Sequence, residues 1–458
     1  MGNPRTGNRE FDVPEHSAPS HPPAGSRPPP AGSGGTAPDP PPGGDWRRGY
    51  REVMAVREFR AIWVAHALSM SGGYLLSIAV SALVYDRTGS ALATGLTMAL
   101  TFLPQIVGGP LLSGLADLFP RRRVIVVSEV ARGLLVASIG IPGLPIPVIW
   151  VLLFCSILPT VPFSAARAAL MTDIVQGERY VAGSAIINIT SQVGTLIGLV
   201  AGGALVALLD PHATVLIDGL AFLLSALVIA VGVRARPAPI TEGGGARRPS
   251  LWTLTREGTL LVFRDSRLRS LALFGWLAGF YMVPYGLANP LASEVGGGAA
   301  AAGLIMAGPS IGAVLGGLVL TRLVSPGPRV RLVGLLAVAA SLPLLAWVLH
   351  PPLWAMVALL ALSGMCSSYQ FVANAAFMLC VPSDGRGLAF GLVAAGLQAA
   401  QGTGIVLASL AAEFVDKYAV VTVAGALGAV AAVALAVPWS RLAPETLRGM
   451  EGAGSAAG

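Results

Sequence analysis

Apolar stretches of roughly 20 residues follow one another along almost the whole chain after residue 50. An α-helix needs about 20 apolar residues to cross the ~30 Å hydrocarbon core of a bilayer. Short polar gaps separate the stretches, so the pattern predicts a chain that crosses a membrane repeatedly as helices. Whatever the protein does is therefore expected to happen across or within a bilayer.

The pattern predicts about twelve spans, divided six and six by a polar break from Arg234 to about Arg269. The first six are predicted at Phe59–Tyr85, Ala91–Leu115, Val124–Ile141, Ile146–Met171, Val181–Leu209 and Ala213–Val233. The second six are predicted at Leu271–Leu291, Ala300–Leu323, Val330–Leu349, Leu353–Cys380, Leu388–Phe414 and Ala419–Trp439. We therefore expect an all-α membrane protein of two pseudo-symmetric six-helix bundles.

Basic residues accumulate in alternate gaps between the predicted spans. The gaps on the other side contain only Arg87 and Lys417. Because cytoplasmic loops carry an excess of Lys and Arg, both termini and the central loop are expected in the cytoplasm. The central segment SLWTLTREGTLLVFRDSRLRSL has apolar residues at helical spacing among basic ones, which predicts an amphipathic helix on the inner membrane surface. We expect the protein in the cell (plasma) membrane.

Composition shifts predict a layout of five segments. The first 50 residues are rich in Pro and Gly and have no apolar run, so they are expected to be a disordered cytoplasmic tail rather than a signal peptide. The predicted segments are the tail at 1–50, an N-terminal bundle at 51–234, a linker with the amphipathic helix at 235–269, a C-terminal bundle at 270–440 and a cytoplasmic tail at 441–458.

Bulk composition agrees with a membrane protein. The 458 residues are 54% hydrophobic and 12% charged, whereas an ordinary soluble chain is ~25% charged. The net charge of +7 does not indicate nucleic-acid binding, because the arginines lie in short gaps where they set orientation. Cys155, Cys366 and Cys380 lie in apolar stretches and are too few for a disulfide framework or a metal site.

The two halves resemble each other weakly. When Gly183 in the fifth predicted span is aligned with Gly391 in the eleventh, Gly194 falls on Gly402. Two six-helix repeats joined by a cytoplasmic loop are an expected transporter architecture, with a substrate cavity where the repeats meet.

The segment YDRTGSALATG…LPQIVGGPLLSGLADLFPRRRVIV resembles the major facilitator superfamily, and is most similar to its twelve-helix exporter branch of macrolide, siderophore and multidrug exporters. Residues Ser113 to Arg122 match the signature between helices two and three, with Leu118 and Pro120 as departures. A degenerate copy, GLVLTR, follows the eighth span. The resemblance implies that Asp117, Arg121 and Arg122 form a conformational latch.

A second signature lies in the fifth span. The segment GTLIGLVAGG resembles the antiporter signature, with Leu199 in place of its proline. The resemblance implies close packing that lets the halves rock, and plain packing is the alternative. The segment LLFCSILPTVPF shows no match to the arginine that many drug–proton antiporters carry in helix four. The signature glycines are Gly194, Gly198, Gly202 and Gly203.

Glu129 and Arg132 lie deep inside the third predicted span, and Asp218 lies deep inside the sixth. Ionisable groups at such depth are costly and usually pair or face a cavity. One hypothesis is an internal ion pair of structural value, since the family places helices three and six at the periphery. The other is that a carboxylate carries coupling protons.

Polar residues recur at one-turn spacing on the spans that border the central cavity in the family, and the first span offers two more. They are candidates to hydrogen-bond a mostly apolar substrate, beside apolar contacts from Phe102, Trp276 and Phe371, or they bond helix to helix. The candidates are His66, Tyr74, Asn188, Gln192, Tyr281, Tyr285, Gln370, Asn374, Gln398 and Gln401.

The sequence contains no P-loop, no H-E-x-x-H and no G-x-S-x-G motif, so we expect no enzyme and no cofactor. We predict a secondary transporter, a monomer, that exports an amphipathic small molecule by alternating access in exchange for protons. Two alternatives remain open: an uptake or facilitated-diffusion porter of the same fold, and a non-transporting membrane receptor or scaffold.

Overall fold

The computed structural model describes residues 46–112, 118–175, 178–236, 251–381 and 386–455. Within these ranges the chain forms helices and turns, and no strand. The all-α class predicted from the sequence is therefore confirmed for the described part of the chain.

The N-terminal half is a set of helices joined by short turns. The helices are α1 (Trp46–Ala55), α2 (Arg57–Thr88), α3 (Ala91–Ala99), α4 (Leu103–Leu112), α5 (Arg121–Ile139), α6 (Ile146–Ile157), α7 (Thr160–Ile174), α8 (Glu178–Leu209) and α9 (Pro211–Gly232).

The C-terminal half contains more helical breaks. It consists of α10 (Leu251–Arg264), α11 (Ser266–Trp276), α12 (Ala278–Tyr281), α13 (Val283–Gly286), α14 (Ala288–Glu294), α15 (Gly298–Leu323), α16 (Pro326–Ser341), a 3₁₀ helix (Leu342–Leu349), α17 (Leu353–Ser367), α18 (Tyr369–Cys380), α19 (Arg386–Ala411) and α20 (Lys417–Ser455).

Among the described residues, nine helices are long and apolar enough to cross a membrane, and ten if the segment of α11–α14, bent by 40°, counts as one span. These ten coincide with predicted spans one and four to twelve. The predicted second span is divided into α3 and α4, and the third carries five charged residues in α5. The count of twelve therefore remains a prediction for spans two and three.

Several spans are broken where proline falls within them. Pro159 separates α6 from α7, and Pro343 lies in the 3₁₀ helix that continues α16. Proline has no N–H to donate to the preceding turn and its ring crowds that turn, so the helix bends or tightens there. Hydropathy predicts continuous spans at these places because it does not register the missing donor.

The predicted amphipathic segment is also broken. Helix α10 ends at Arg264, and Asp265 starts α11 by accepting a hydrogen bond from the Arg267 backbone N–H at 2.8 Å. Partial burial raises the pKa of Asp265, but the side-chain and backbone hydrogen bonds from Arg267 outweigh this and leave the pKa below its ordinary value. An ionised aspartate is a good helix cap, so the break follows from local chemistry.

Glycine allows helices of the C-terminal half to approach closely. A Cβ added at Gly312 on α15 would lie 1.8 Å from the Ala361 carbonyl oxygen of α17, and one at Gly364 would lie 2.1 Å from the Pro309 carbonyl oxygen. Membrane helices associate through such small-residue contacts because lipid provides little hydrophobic force between them.

Gly312→Ala should destabilise the protein, because its methyl group would collide with backbone that has no rotamer to change. Overpacking of this kind costs ~1–3 kcal/mol. The measurement is the thermal unfolding midpoint of the purified protein in detergent. Gly391→Ala is the control, since a Cβ there meets nothing within 4 Å. Equal midpoints for both variants would contradict the packing argument.

Candidate functional site

A cavity of about 470 Å³ lies between the two halves of the chain. Its walls are mostly apolar or aromatic and carry hydroxyl and amide groups, which is the usual make-up of a small-molecule site. Helices of both halves contribute. The described residues lining it are Ser69, Met70, Gly73, Tyr74, Leu76, Ser77, Thr101, Phe102, Arg132, Val136, Ser156, Ile157, Thr160, Thr195, Leu199, Phe222, Met282, Tyr285, Ser310, Gln398, Gln401 and Ile405.

Four of the predicted cavity residues line this space: Tyr74, Tyr285, Gln398 and Gln401. Phe102, expected to supply an apolar contact, lines it as well. These residues come from α2, α19, the α3–α4 turn and the bent segment of the seventh span. The structure therefore brings together one part of the predicted set.

The other candidates lie elsewhere. Tyr281 is buried and accepts a hydrogen bond from the side-chain amide of Gln370. The side chains of Asn188, Gln192 and Asn374 are exposed and are not among the lining residues. Of the two further aromatic candidates, Trp276 donates to the Val393 carbonyl oxygen at 3.1 Å, and Phe371 packs on Gly317. These residues bond helix to helix or face outward in this conformation.

The glycines of the fifth-span signature serve two different contacts. A Cβ at Gly198 would lie 2.5 Å from the Ser71 carbonyl oxygen of α2, and Gly194 and Gly202 face α2 as well. Gly203 points the other way: a Cβ there would lie 3.0 Å from the Cα of Gly303 on α15. Three glycines thus seat α8 within its own half, and the fourth brings it against the other half.

The halves also meet through hydrogen bonds at the end of the bundle that contains residues 86–91 and 411–417, where basic residues are few. We call this the arginine-poor end. Here Tyr85 bonds to Ser293 at 2.8 Å, and Asn289 donates to the buried Ser81 hydroxyl at 2.8 Å. A Cβ at nearby Gly95 would lie 2.0 Å from the Ser409 oxygen. Contact between the halves is therefore close at this end.

Glu413 makes a further connection at the arginine-poor end. Its carboxylate accepts from the Ser90 hydroxyl at 2.6 Å and from the Leu92 backbone N–H at 2.8 Å, at the start of α3. We call this set of contacts the inter-half clasp. The Leu92 and Ser90 hydrogen bonds, with the nearby Lys417 ammonium, hold the pKa of the exposed Glu413 carboxyl below its ordinary value. An ionised carboxylate also suits the positive end of a helix dipole.

A cluster of charges lies beside the cavity. Arg132 forms an ion pair with Glu129, with Nη1 3.0 Å from Oε1, and donates to the Ser69 hydroxyl at 2.8 Å. The guanidinium carbon lies 4.0 Å from the centre of the Phe222 ring. Arg132 and Phe222 both line the cavity. The third and sixth spans, α5 and α9 here, were expected at the periphery. This expectation is wrong for the side chains of Arg132 on α5 and Phe222 on α9.

Asp218 belongs to the same cluster but is bonded differently. The residue is 1% exposed, and neither carboxyl oxygen has a hydrogen-bond partner among the described residues. A Cβ added at Gly72 would lie 2.2 Å from its Oδ1, so the carboxyl presses on the α2 backbone. A charged carboxylate in such a place is expensive, and the neutral acid is much less so.

A second cation, half-buried, lies on α7. Arg167 donates from Nη1 to Nδ1 of His66 at 2.6 Å, and Nε2 of His66 is 2.8 Å from the Ser191 hydroxyl oxygen. A guanidinium only donates, so His66 accepts at Nδ1 and carries its proton on Nε2. His66 is therefore neutral here and joins α7, α2 and α8 instead of lining the cavity.

Arg121 and Arg122 bond to neighbouring helices at the opposite end of the bundle, which we call the arginine-rich end. Arg121 donates to the Asp173 carboxylate at 2.5 Å and to the Ala169 carbonyl oxygen at 3.0 Å, both on α7. Arg122 donates to the Ala230 carbonyl oxygen of α9. Their proposed partner Asp117 lies outside the described residues.

Sequence reasoning missed Arg167 and Glu413. Arg167 lies in the fourth predicted span, four residues after the segment LLFCSILPTVPF ends at Phe163, and a lone arginine in FSAARAALM is itself a signal. Glu413 gave no signal, because it falls at the end of the predicted eleventh span and nothing in the sequence tells which helix end it meets. Within the described ranges, no group of three or more His, Cys, Asp or Glu residues is placed to hold a metal ion.

Solved transporter structures share this architecture. A bacterial homologue of the human lysosomal transporter Spinster, in an inward-facing and occupied conformation, superposes with a TM-score of 0.62 at 15% identity, covering 87% of this chain and 98% of that one. A peptide transporter in complex with sulfate gives 0.68 at 14% identity, covering 88% and 99%. At such identities the likeness concerns the fold.

Among curated proteins, macrolide efflux protein A of Streptococcus pyogenes is 22% identical over 240 residues. The alignment spans 52% of this chain and 58% of the relative, so a little over half of each is compared.

The model of the Major Facilitator Superfamily matches residues 62–289 and again residues 270–455. The two matches cover both halves and nearly all of the described chain. Together with the helical architecture and the cavity between the halves, they show that this chain is a multi-pass membrane transporter of the major facilitator superfamily.

Proposed function

We propose that this transporter exports an amphipathic small molecule from the cytoplasm by alternating access, in exchange for protons. The arginine-rich end faces the cytoplasm in this proposal, because the excess of arginine there follows the positive-inside rule. The halves at residues 51–234 and 270–440 rock about the cavity, each helix moving as part of its own bundle.

The observation that carries the proposal is the cavity between halves that are held together at the arginine-poor end. A cavity of about 470 Å³ fits one small molecule, and its apolar walls with scattered hydroxyls and amides suit an amphipathic one. Alternating access requires each of its two states to be closed at one end, and the contacts at the arginine-poor end supply such a closure. The partial similarity to a macrolide efflux protein supports export as the direction.

Asp218 is the proposed proton carrier. It lies in one cluster with Glu129 and Arg132, is buried, and has no hydrogen-bond partner in the described part of the chain. A proton neutralises it in this conformation, whereas access to water or to Arg132 in another conformation would favour its release. Because Arg132 lines the cavity and interacts electrostatically with Asp218, a change of charge at Asp218 acts next to the substrate.

Two devices are proposed to hold the alternative states. The inter-half clasp stabilises closure at the arginine-poor end, through Glu413 at the start of α3. At the arginine-rich end Asp117, Arg121 and Arg122 form the latch. The hydrogen bonds of Arg121 to Asp173 and of Arg122 to Ala230, near the ends of α7 and α9, support this proposal. Each device consists of a few hydrogen bonds or ion pairs, so each contributes an energy that thermal fluctuation and ligand binding can overcome.

Proton-driven transport is expected in proteoliposomes, measured as uptake of radiolabelled erythromycin and a panel of amphipathic drugs under an imposed pH gradient. Asp218→Asn should lower the driven rate by about 5- to 150-fold, the range of a typical coupling energy, while substrate exchange without a gradient continues. Asp210→Asn, at the exposed cap of the same helix, is the control. If no compound responds to the gradient, the antiport proposal fails; accumulation by intact cells would favour the uptake alternative.

Glu413→Gln should open the arginine-poor end, because the neutral amide loses the charge that favours the α3 N-terminus. The pKa of Glu413 is lowered in the closed state, so the contribution is present above the ordinary value of 4.5 and disappears as pH falls through the lowered pKa. We expect the closed population to fall by about two- to fivefold.

The measurement is a pulsed electron paramagnetic resonance distance between spin labels at positions 212 and 414, one in each half, after replacement of the native cysteines. Asp416→Asn is the control, since Asp416 bonds to Ala419 and His350 in its own half. An unchanged distance distribution for Glu413→Gln, at neutral and acidic pH alike, would contradict a role for the clasp.

Asp117→Asn should reduce transport at least about fivefold with normal expression, because it removes the carboxylate of the latch. Arg123→Gln, a neighbouring charge change outside the proposed latch, is the control. Transport rates are compared at equal protein content in the proteoliposome assay. Undiminished transport by Asp117→Asn would show that the arginines act in topology alone.

A further inference from the structure

Arg132 is held in place by groups of three helices and keeps donors free at Nη2; its buried Nε also has no hydrogen-bond partner among the described residues. Nη1 is used by Glu129 and Ser69, at 3.0 and 2.8 Å, and one face of the guanidinium stacks on Phe222. Nη2 makes no hydrogen bond to any described residue, although the residue is only 5% exposed. A guanidinium fixed in this way is pre-organised to donate to a ligand.

Gly73 opens the way from this guanidinium to the cavity. It lies on α2 between the charge cluster and the cavity, and a Cβ added there would be 3.8 Å from Nη2 of Arg132. Both residues line the cavity. Any larger side chain at position 73 would therefore lie against the free donor and cover it.

Among the described residues that line the cavity, no other charge competes for a ligand, because Glu129, the ion-pair partner of Arg132, does not line it. Arg132 is the one permanently charged side chain among the described residues that line the cavity, and the polar remainder consists of hydroxyl and amide groups. A fixed donor in a largely apolar cavity favours an acceptor oxygen and disfavours a cation at the same place, because the dielectric is low.

We infer that Arg132, reached across Gly73, selects substrates by donating to an acceptor oxygen of their polar group, with carboxylates bound best, neutral carbonyls next and quaternary ammonium groups worst. The inference rests on the proposed transport function, since it assumes that this cavity is the substrate site. The selection applies only to the polar group of the substrate that enters beside α2. Charges elsewhere on a large substrate are not restricted.

The test is equilibrium binding to the purified full-length protein, measured by energy transfer from tryptophan to a dansyl group. The probes share one scaffold: dansyl-6-aminohexanoate, its methyl ester, and the same chain ending in trimethylammonium. We expect the carboxylate to bind about tenfold or more tighter than the ammonium compound, which is the range of a charge-assisted hydrogen bond. Gly73→Val should reduce this preference to within about threefold, without altering the Glu129–Arg132 pair.

Gly391→Val is the matched control, because a Cβ at Gly391 meets nothing and the residue does not line the cavity. Arg132→Lys keeps the charge but loses the planar fork, so it should retain an intermediate preference. Thermal unfolding verifies that each variant is folded. Equal binding of the probes to the unaltered protein, no saturable binding of the carboxylate, or an undiminished preference in Gly73→Val would each overturn the inference.

Failure of the role of Arg132 and failure of the proposed transport function give different results in these experiments. Transport driven by protons with no preference among the probes would leave export standing and refute the role of Arg132. A binding preference abolished by Gly73→Val, in a protein that no gradient drives, would support the role of Arg132 and refute antiport.

Discussion

Close backbone contact at glycine is the constraint on which the rest of this structure depends. Inside a bilayer, helices gain little by burying apolar side chains against one another, so they associate where small residues let dispersion contacts form at short range. Gly198 seats α8 on α2, Gly312 seats α15 on α17, and Gly203 meets Gly303 between the halves. Where Gly203 meets Gly303 the halves touch through backbone and not through interlocking side chains, which suits a surface that must open.

Helix α2 is where packing and chemistry meet. Two adjacent glycines of α2 each leave room for a charged side chain. Asp218 presses on the backbone at Gly72, and Arg132 approaches the cavity past Gly73. The charge cluster on α5 and α9 is thereby joined to the cavity. Larger side chains at these positions of α2 would separate the two. The energetic cost of burying Glu129 and Arg132 is offset in part by their ion pair and by stacking of Arg132 on Phe222. The cost of burying Asp218 is not offset in this way, because its carboxyl has no hydrogen-bond partner among the described residues.

Contacts at the two ends of the bundle differ in kind. At the arginine-poor end, hydrogen bonds such as those of Glu413 with Ser90 and of Tyr85 with Ser293 cross from one half to the other. At the arginine-rich end, Arg121 and Arg122 bond within the N-terminal half, to α7 and α9. A transporter needs this kind of difference, since one end must hold while the other is free to exchange its cargo.

Hydropathy by itself determined the class of the fold, the approximate bounds of ten spans and the location of the buried charges, because a length of apolar sequence and a charge within it report directly on the cost of entering lipid. The tertiary structure decided which groups meet: Arg132 reaches the cavity, His66 bonds to Arg167 instead of lining the cavity, and Glu413 spans the halves. These outcomes depend on which face of each helix meets which neighbour. Residues far apart in the chain fix that choice through glycine contacts that no single helix encodes.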